Sequence, residues 1–201
     1  GMPNNNAILC DTKGVIHSER KENMNQWKSG HTVETDARTL EDALKNSDWF
    51  YVEGYLLTDK ARTKIIKEAV EFAKQQGVKI AISLSDPFVV DVFGDALRDV
   101  IGSGVDLVFC NKDEALAFTG SNNLDSAIEE LKLITKSFAI TDGANGAITF
   151  DGDLVSRSEG VPAKAIDTNG AGDMFAGAFL CAITSGKGYD WAAKLANYCA
   201  S

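Results

Sequence analysis

Asp167, Thr168, Asn169, Gly170, Ala171, Gly172 and Asp173 stand in one run, and an apolar pattern begins inside it. Ala171, Met174, Phe175, Ala178, Phe179, Ala182 and Ile183 recur at steps of three and four, which predicts one buried helical face. Gly170, Ala171 and Gly172 would then open that helix. Backbone N–H groups at a helix start lack intrahelical partners and carry the positive end of the dipole, so they form an anion site. Asp173 falls in the first turn, next to where the anion would lie. An anion cradle beside a carboxylate suits phosphoryl transfer to a hydroxyl: the cradle holds the phosphoryl group and the carboxylate takes the proton. The same residues also admit a plainer reading, in which the Asp favours the helix dipole and the glycines allow close packing.

Two further stretches follow strand patterns. Asn111 and Glu114 come directly after the apolar run Val105–Cys110. Residues at i and i+3 share a helical face, so an amide and a carboxylate here could hold hydrated magnesium and steer phosphates. The spacing equally suits a capping Asn with a helix-start Glu. Thr141, Gly143 and Gly146 leave the strand pattern Phe138–Thr141, and the glycines let backbone approach a ligand closely. An ordinary hairpin turn is the alternative.

These elements need a scaffold. Strand patterns at Ala7–Cys10, Trp49–Val52, Val78–Ile82, Val105–Cys110 and Phe138–Thr141 alternate with helical patterns. Thr58 is expected to cap the helix carrying Ile65, Ile66, Ala69, Val70 and Ala73, which Gly77 stops. Val92, Phe93, Ala96, Leu97 and Val100 mark the next helix, and the last runs from Tyr189 to the end. The alternation predicts an α/β fold, a mainly parallel central sheet with helices on both faces. A single domain over residues 1–201 is expected, with 1–38 weakly patterned and polar.

Composition narrows the function. The chain has 201 residues, 44% hydrophobic, with a net charge of −9. That charge argues against a nucleic-acid partner held by bulk electrostatics. No run of about 18 apolar residues suggests a membrane span, and no signal-peptide pattern is seen, so a cytoplasmic protein is expected. Cys10, Cys110, Cys181 and Cys199 form no C-x-x-C pair and read as buried free thiols. His17 and His31 lack ligand spacing. There is no G-x-x-x-x-G-K-[ST] loop. A dinucleotide-binding reading of Gly170-x-Gly172 fails because the third glycine slot holds Phe175.

The order N-x-x-E, T-x-G-x-x-G, D-T-N-G-A-G-D resembles the ribokinase-like (PfkB) family of sugar and nucleoside kinases, over roughly residues 40 to 201. The stretches Val52-Glu53-Gly54-Tyr55 and Ser83-Leu84-Ser85-Asp86-Pro87-Phe88 look more like its adenosine-kinase-like branch. The resemblance implies a three-layer ribokinase-like fold and an ATP-dependent kinase acting on a hydroxymethyl group of a small-molecule sugar or nucleoside. It makes Asp173 the catalytic base and Gly170, Ala171 and Gly172 the anion hole. Asn111, Thr141, Gly143, Gly146 and Asn197 would bind ATP, Asn197 beside the adenine, and Glu114 would hold Mg2+ through water. Asp167 and Asn169 fall where several members bind a monovalent cation, whose other ligands would lie beyond Ser201. The family leaves room for a homodimer. Its N-terminal lid and acceptor-gripping Asp have no counterpart before residue 40, so the chain reads as incomplete. A nucleotide-binding domain without turnover is therefore the competing reading.

Overall fold

The computed structural model describes residues 7–10, 16–18, 37–102, 104–163, 168 and 170–201. Asp167 and Asn169 lie outside the described residues, as do His31 and most of the weakly patterned stretch before residue 37.

Eight strands form one sheet in the order β2-β1-β3-β4-β5-β6-β7-β8. They are β1 (Ala7–Cys10), β2 (Ile16–Ser18), β3 (Trp49–Glu53), β4 (Lys79–Ser83), β5 (Leu107–Asn111), β6 (Phe138–Thr141), β7 (Ala147–Phe150) and β8 (Val155–Ser158). Strands β1, β3, β4, β5 and β6 are mutually parallel, while β2, β7 and β8 each pair antiparallel with their neighbour. Strand β8 has no clear apolar pattern and returns from the Asp151-Gly152 turn, where Asp151 Oδ1 accepts from the Leu154 N–H at 2.8 Å.

The parallel strands are added in chain order and always in one direction. Right-handed crossovers then place every connecting helix on the same face. That face carries α1 (Ala37–Lys45), α2 (Lys60–Gln75), α3 (Pro87–Gly102), α4 (Lys112–Thr119) and α5 (Leu124–Ile134), packed on Phe50, Val52, Ile80, Ile82, Val108, Phe138 and Ile140. The alternate strand residues, Trp49, Tyr51, Ala81, Leu107, Phe109, Ala139 and Ala147, face α6 (Ala171–Thr184) and α7 (Tyr189–Cys199). Three layers result, as expected, but the helices divide five and two. Ala81, Ala139 and Ala147 let the Ala-rich α6 and α7 approach closely, and Ala182, Ala192, Ala193 and Ala196 are buried there.

Local departures have local causes. Thr58 does not cap α2. It ends a 3-10 turn over Gly54–Thr58, where its hydroxyl donates to the Tyr55 carbonyl at 2.8 Å, and Asp59 caps instead by accepting from the Arg62 N–H at 2.9 Å. Ile65 and Val92 are exposed on the outer flank of their helices. Cys110 is a buried free thiol as expected, whereas Cys181 and Cys199 are free but exposed. No helix among the described residues is long and apolar enough to cross a membrane.

Candidate active site

Helix α6 is set against the sheet by aromatic rings. Phe179 meets Phe109 of β5 edge-to-face at 5.6 Å and Tyr189 at 5.1 Å, and Phe175 stacks on Phe179 at 5.9 Å. The Tyr189 hydroxyl shares a 2.8 Å hydrogen bond with Ser137, just before β6 begins. Helix α6 therefore runs against the strands, and its first turn comes to their carboxyl ends. Open α/β sheets bind ligands at that edge.

The start of α6 is built as the motif suggests. Gly170 is the N-cap in the left-handed region (φ 79°), a conformation that glycine adopts without steric cost, and no side-chain cap closes the end among the described residues. The Ala171 N–H is turned toward the Thr168 carbonyl at 3.2 Å, and the Gly170 carbonyl accepts from the Met174 N–H at 2.9 Å. Asp173 is exposed in the first turn. Burial begins at Phe175, and Met174 is 54% exposed, so the predicted buried face starts one turn late. The first turn stands clear of the sheet, where a ligand can reach it.

Across from Asp173 lies a polar network at the ends of β3 and β4. Ser85 donates to Glu53 Oε2 at 2.8 Å, and the Tyr51 hydroxyl lies beside Glu53 and Ser83. Burial pushes the Glu53 carboxyl above its ordinary range, and the charge of Asp173 adds to that push. Burial likewise raises the Tyr51 phenol, with the Glu53 charge next. Gly54 is required here, because a Cβ would lie 2.8 Å from the carbonyl oxygens of Ser83 and Leu84. Ser85 is the one described non-glycine residue with positive φ (71°), a strain typical of functional edges. Sequence reasoning takes these stretches only as marks of a branch. The signal it passes over is Glu53, a lone carboxylate closing an apolar strand.

Asn111 and Glu114 take the geometry of the capping reading. They form a capping box: Glu114 N–H donates to Asn111 Oδ1 at 2.8 Å, and Asn111 N–H donates to Glu114 Oε2 at 2.9 Å. The Asn111 amide also donates to Glu114 Oε1 at 2.7 Å. Glu114 is 5% exposed. Burial pushes its carboxyl up to about 7, and the charges of Asp86, Glu53 and Asp113 act in the same direction. A buried carboxylate among like charges is a place that a cation would relieve. No group of three or more His, Cys, Asp or Glu side chains among the described residues converges to enclose a metal. Magnesium fits here only in the manner usual for it, held by substrate phosphates and water with a protein carboxylate beside it.

The turn after β6 completes the edge. Gly143 (φ 53°) and Gly146 (φ 92°, ψ −131°) both occupy regions that disfavour a side chain. The turn closes on itself through Asp142 N–H to the Gly146 carbonyl at 2.8 Å and Gly146 N–H to the Gly143 carbonyl at 3.0 Å. Lys112 lies 3.6 Å from Asp142, tying the turn to the start of α4. Asn197 comes to the same edge from α7, donating to Ser158 Oγ at 2.8 Å and to the Glu159 carbonyl at 3.0 Å. The structure thus gathers Asp173, Gly170, Ala171, Gly172, Asn111, Glu114, Thr141, Gly143, Gly146 and Asn197 along one end of the sheet.

The three-layer α/β fold and this edge set the chain beside known proteins of one family. Residues 11–201 match the model of the pfkB family of carbohydrate kinases, and the chain belongs to that family. The match starts well before residue 40, where the motif resemblance begins. The chain is 28% identical to the adenosine kinase of Schizosaccharomyces pombe over 210 residues, covering 97% of this chain and 58% of that one. It superposes on the adenosine kinase of Sinorhizobium meliloti with a TM-score of 0.78 at 34% identity, over 83% of this chain and 52% of that one. A ribokinase II from Escherichia coli, solved with ATP and Mg2+, gives 0.73 at 26%, over 80% and 53%. A 66-residue stretch is also 52% identical to an NADP-dependent malic enzyme of Rhizobium meliloti, spanning 31% of this chain and 9% of that protein, too little of either to assign a family. The chain spans little more than half the length of the kinases it resembles.

Proposed function

We propose that this chain carries the ATP-handling part of a kinase that phosphorylates a hydroxymethyl group of a sugar or nucleoside, with adenosine-like acceptors favoured. The observation that carries the reading is the first turn of α6: a glycine-capped helix start with Asp173 on it, standing at the carboxyl edge opposite Glu53.

In this reading Thr141, Gly143 and Gly146 border the nucleotide, with Asn197 behind them. The acceptor hydroxyl gives its proton to the Asp173 carboxylate as its oxygen attacks the γ-phosphorus. The new O–P bond forms while the bond from the γ-phosphorus to the β,γ-bridging oxygen breaks, releasing ADP. Charge on the transferring group is met by the N–H groups of residues 170–172, that of Ala171 exchanging the Thr168 carbonyl for a phosphate oxygen. Glu114, together with Asn111, would hold magnesium through water, and the metal would neutralise phosphate charge. The family membership, the adenosine kinases among its relatives and the uncapped helix start all support this assignment.

The test is ADP release from MgATP by the 201-residue chain with adenosine, guanosine, inosine, ribose or fructose. Release that depends on one acceptor establishes the kinase and names its substrate. Nucleotide binding with no release by any acceptor, from this chain and from a longer chain that supplies the acceptor-binding part, establishes a binding domain instead, and no binding at all overturns the reading.

A further inference from the structure

We infer that Asn197 and Gly160 form a clasp that positions the nucleotide turn 142–146, so that Asn197 acts through the backbone of that turn and not by reading the base. The inference rests on the nucleotide site proposed above.

The clasp is a continuous chain of contacts. Helix α7 is seated firmly: Ala192, Ala193 and Ala196 are buried on the sheet, and Tyr189 is tied to Ser137 at its far end. At its near end Asn197 is 9% exposed and places its side-chain NH2 on two acceptors, Ser158 Oγ at 2.8 Å and the Glu159 carbonyl at 3.0 Å. An amide NH2 has two hydrogens, so both are committed. The segment it grips lies backbone-to-backbone on the turn. A Cβ on Gly146 would overlap the Ser158 carbonyl and the backbone of residues 159 and 160, and a Cβ on Gly160 would overlap the Ala144 carbonyl. The turn is closed by its own hydrogen bonds, Asn145 N–H to the Asp142 carbonyl at 3.0 Å among them. It therefore moves as a unit, and whatever fixes residues 158–160 fixes it.

A base-reading Asn and a clasping Asn make different demands. Loss of a base contact weakens one purine nucleotide selectively. Loss of the clasp loosens the turn before any ligand arrives and weakens every nucleotide equally. The measurement compares the 201-residue chain with Asn197→Ala and with the milder Ser158→Ala, which removes one of the two acceptors. MgATP and MgGTP affinities are taken by calorimetry, and amide exchange is followed without nucleotide.

The clasp predicts that Asn197→Ala weakens MgATP and MgGTP by the same factor, about tenfold. It also predicts faster exchange at the amides of residues 142–146 with α2 and α3 unchanged, and smaller effects in the same direction for Ser158→Ala. Loss of MgATP affinity with MgGTP affinity kept, or unchanged exchange in the turn, overturns it. If the unmodified chain binds neither nucleotide, the nucleotide-site reading fails by itself, and the exchange comparison still decides whether the clasp exists.

Discussion

Replacing Glu114 by Gln isolates the electrostatic cost of the Asn111–Glu114 pair. Burial, followed by the charges of Asp86, Glu53 and Asp113, lifts the Glu114 carboxyl from its ordinary 4.5 to about 7. In the folded chain it therefore keeps its proton where the unfolded chain has released it. A folded pKa above the unfolded one gives stability that is complete below pH 4.5 and is lost as pH rises through about 7. At about 1.4 kcal/mol per pKa unit, the full loss amounts to about 3 kcal/mol. Gln keeps the shape and can still accept from the Asn111 N–H, but does not titrate. Urea unfolding of both proteins at pH 5, 6, 7 and 8 measures the effect. The unmodified chain should lose about 2.5 kcal/mol more than Glu114→Gln between pH 5 and 8, and Mg2+ with ATP should recover part of that difference at pH 8. Parallel stability curves would refute the buried, proton-holding carboxyl, and with it the argument that a cation is favoured there.

Gly146→Ala should cost about 2 to 4 kcal/mol of unfolding free energy, since it adds both backbone strain and an overlap with the Ser158 carbonyl; a thermal melt reads it, and a melt close to the parent's would contradict the close approach. Phe179→Ala removes the ring that joins α6 to Phe109 and Tyr189, so a loss of about 3 to 5 kcal/mol is expected in denaturant unfolding. Ser85→Ala should leave stability nearly unchanged and raise the Glu53 carboxyl further, because it deletes a donor to the charged form; carboxyl titration followed by NMR checks the direction.

Much of the site is readable along the chain because its demands are local. Gly143 and Gly146 sit at positive φ within a single turn, so the turn shows its glycines in the sequence. Asn111 and Glu114 cap their own helix, and Gly170 caps α6. What the sequence conceals is set by distance. Glu53 finds Ser85 32 residues on, through the pairing of β3 with β4, and Asn197 finds Ser158 39 residues back. Neither partner is implied by spacing. Five helices share one face because the strands are laid down in chain order, a property of the whole sheet. Met174 fits the apolar period yet is exposed, because the first turn of α6 projects beyond the rings that bury Phe175 and Phe179.

The central claim is that Asp173 serves as the base at a backbone phosphate cradle, and Asp173→Asn tests it most directly. The side chain is exposed, so the substitution should leave the melt and MgATP affinity close to the parent's. Acceptor-dependent ADP release should fall by about 100-fold or more, the usual scale for a lost general base. An Asp173→Asn chain that releases ADP as fast as the parent would contradict the account.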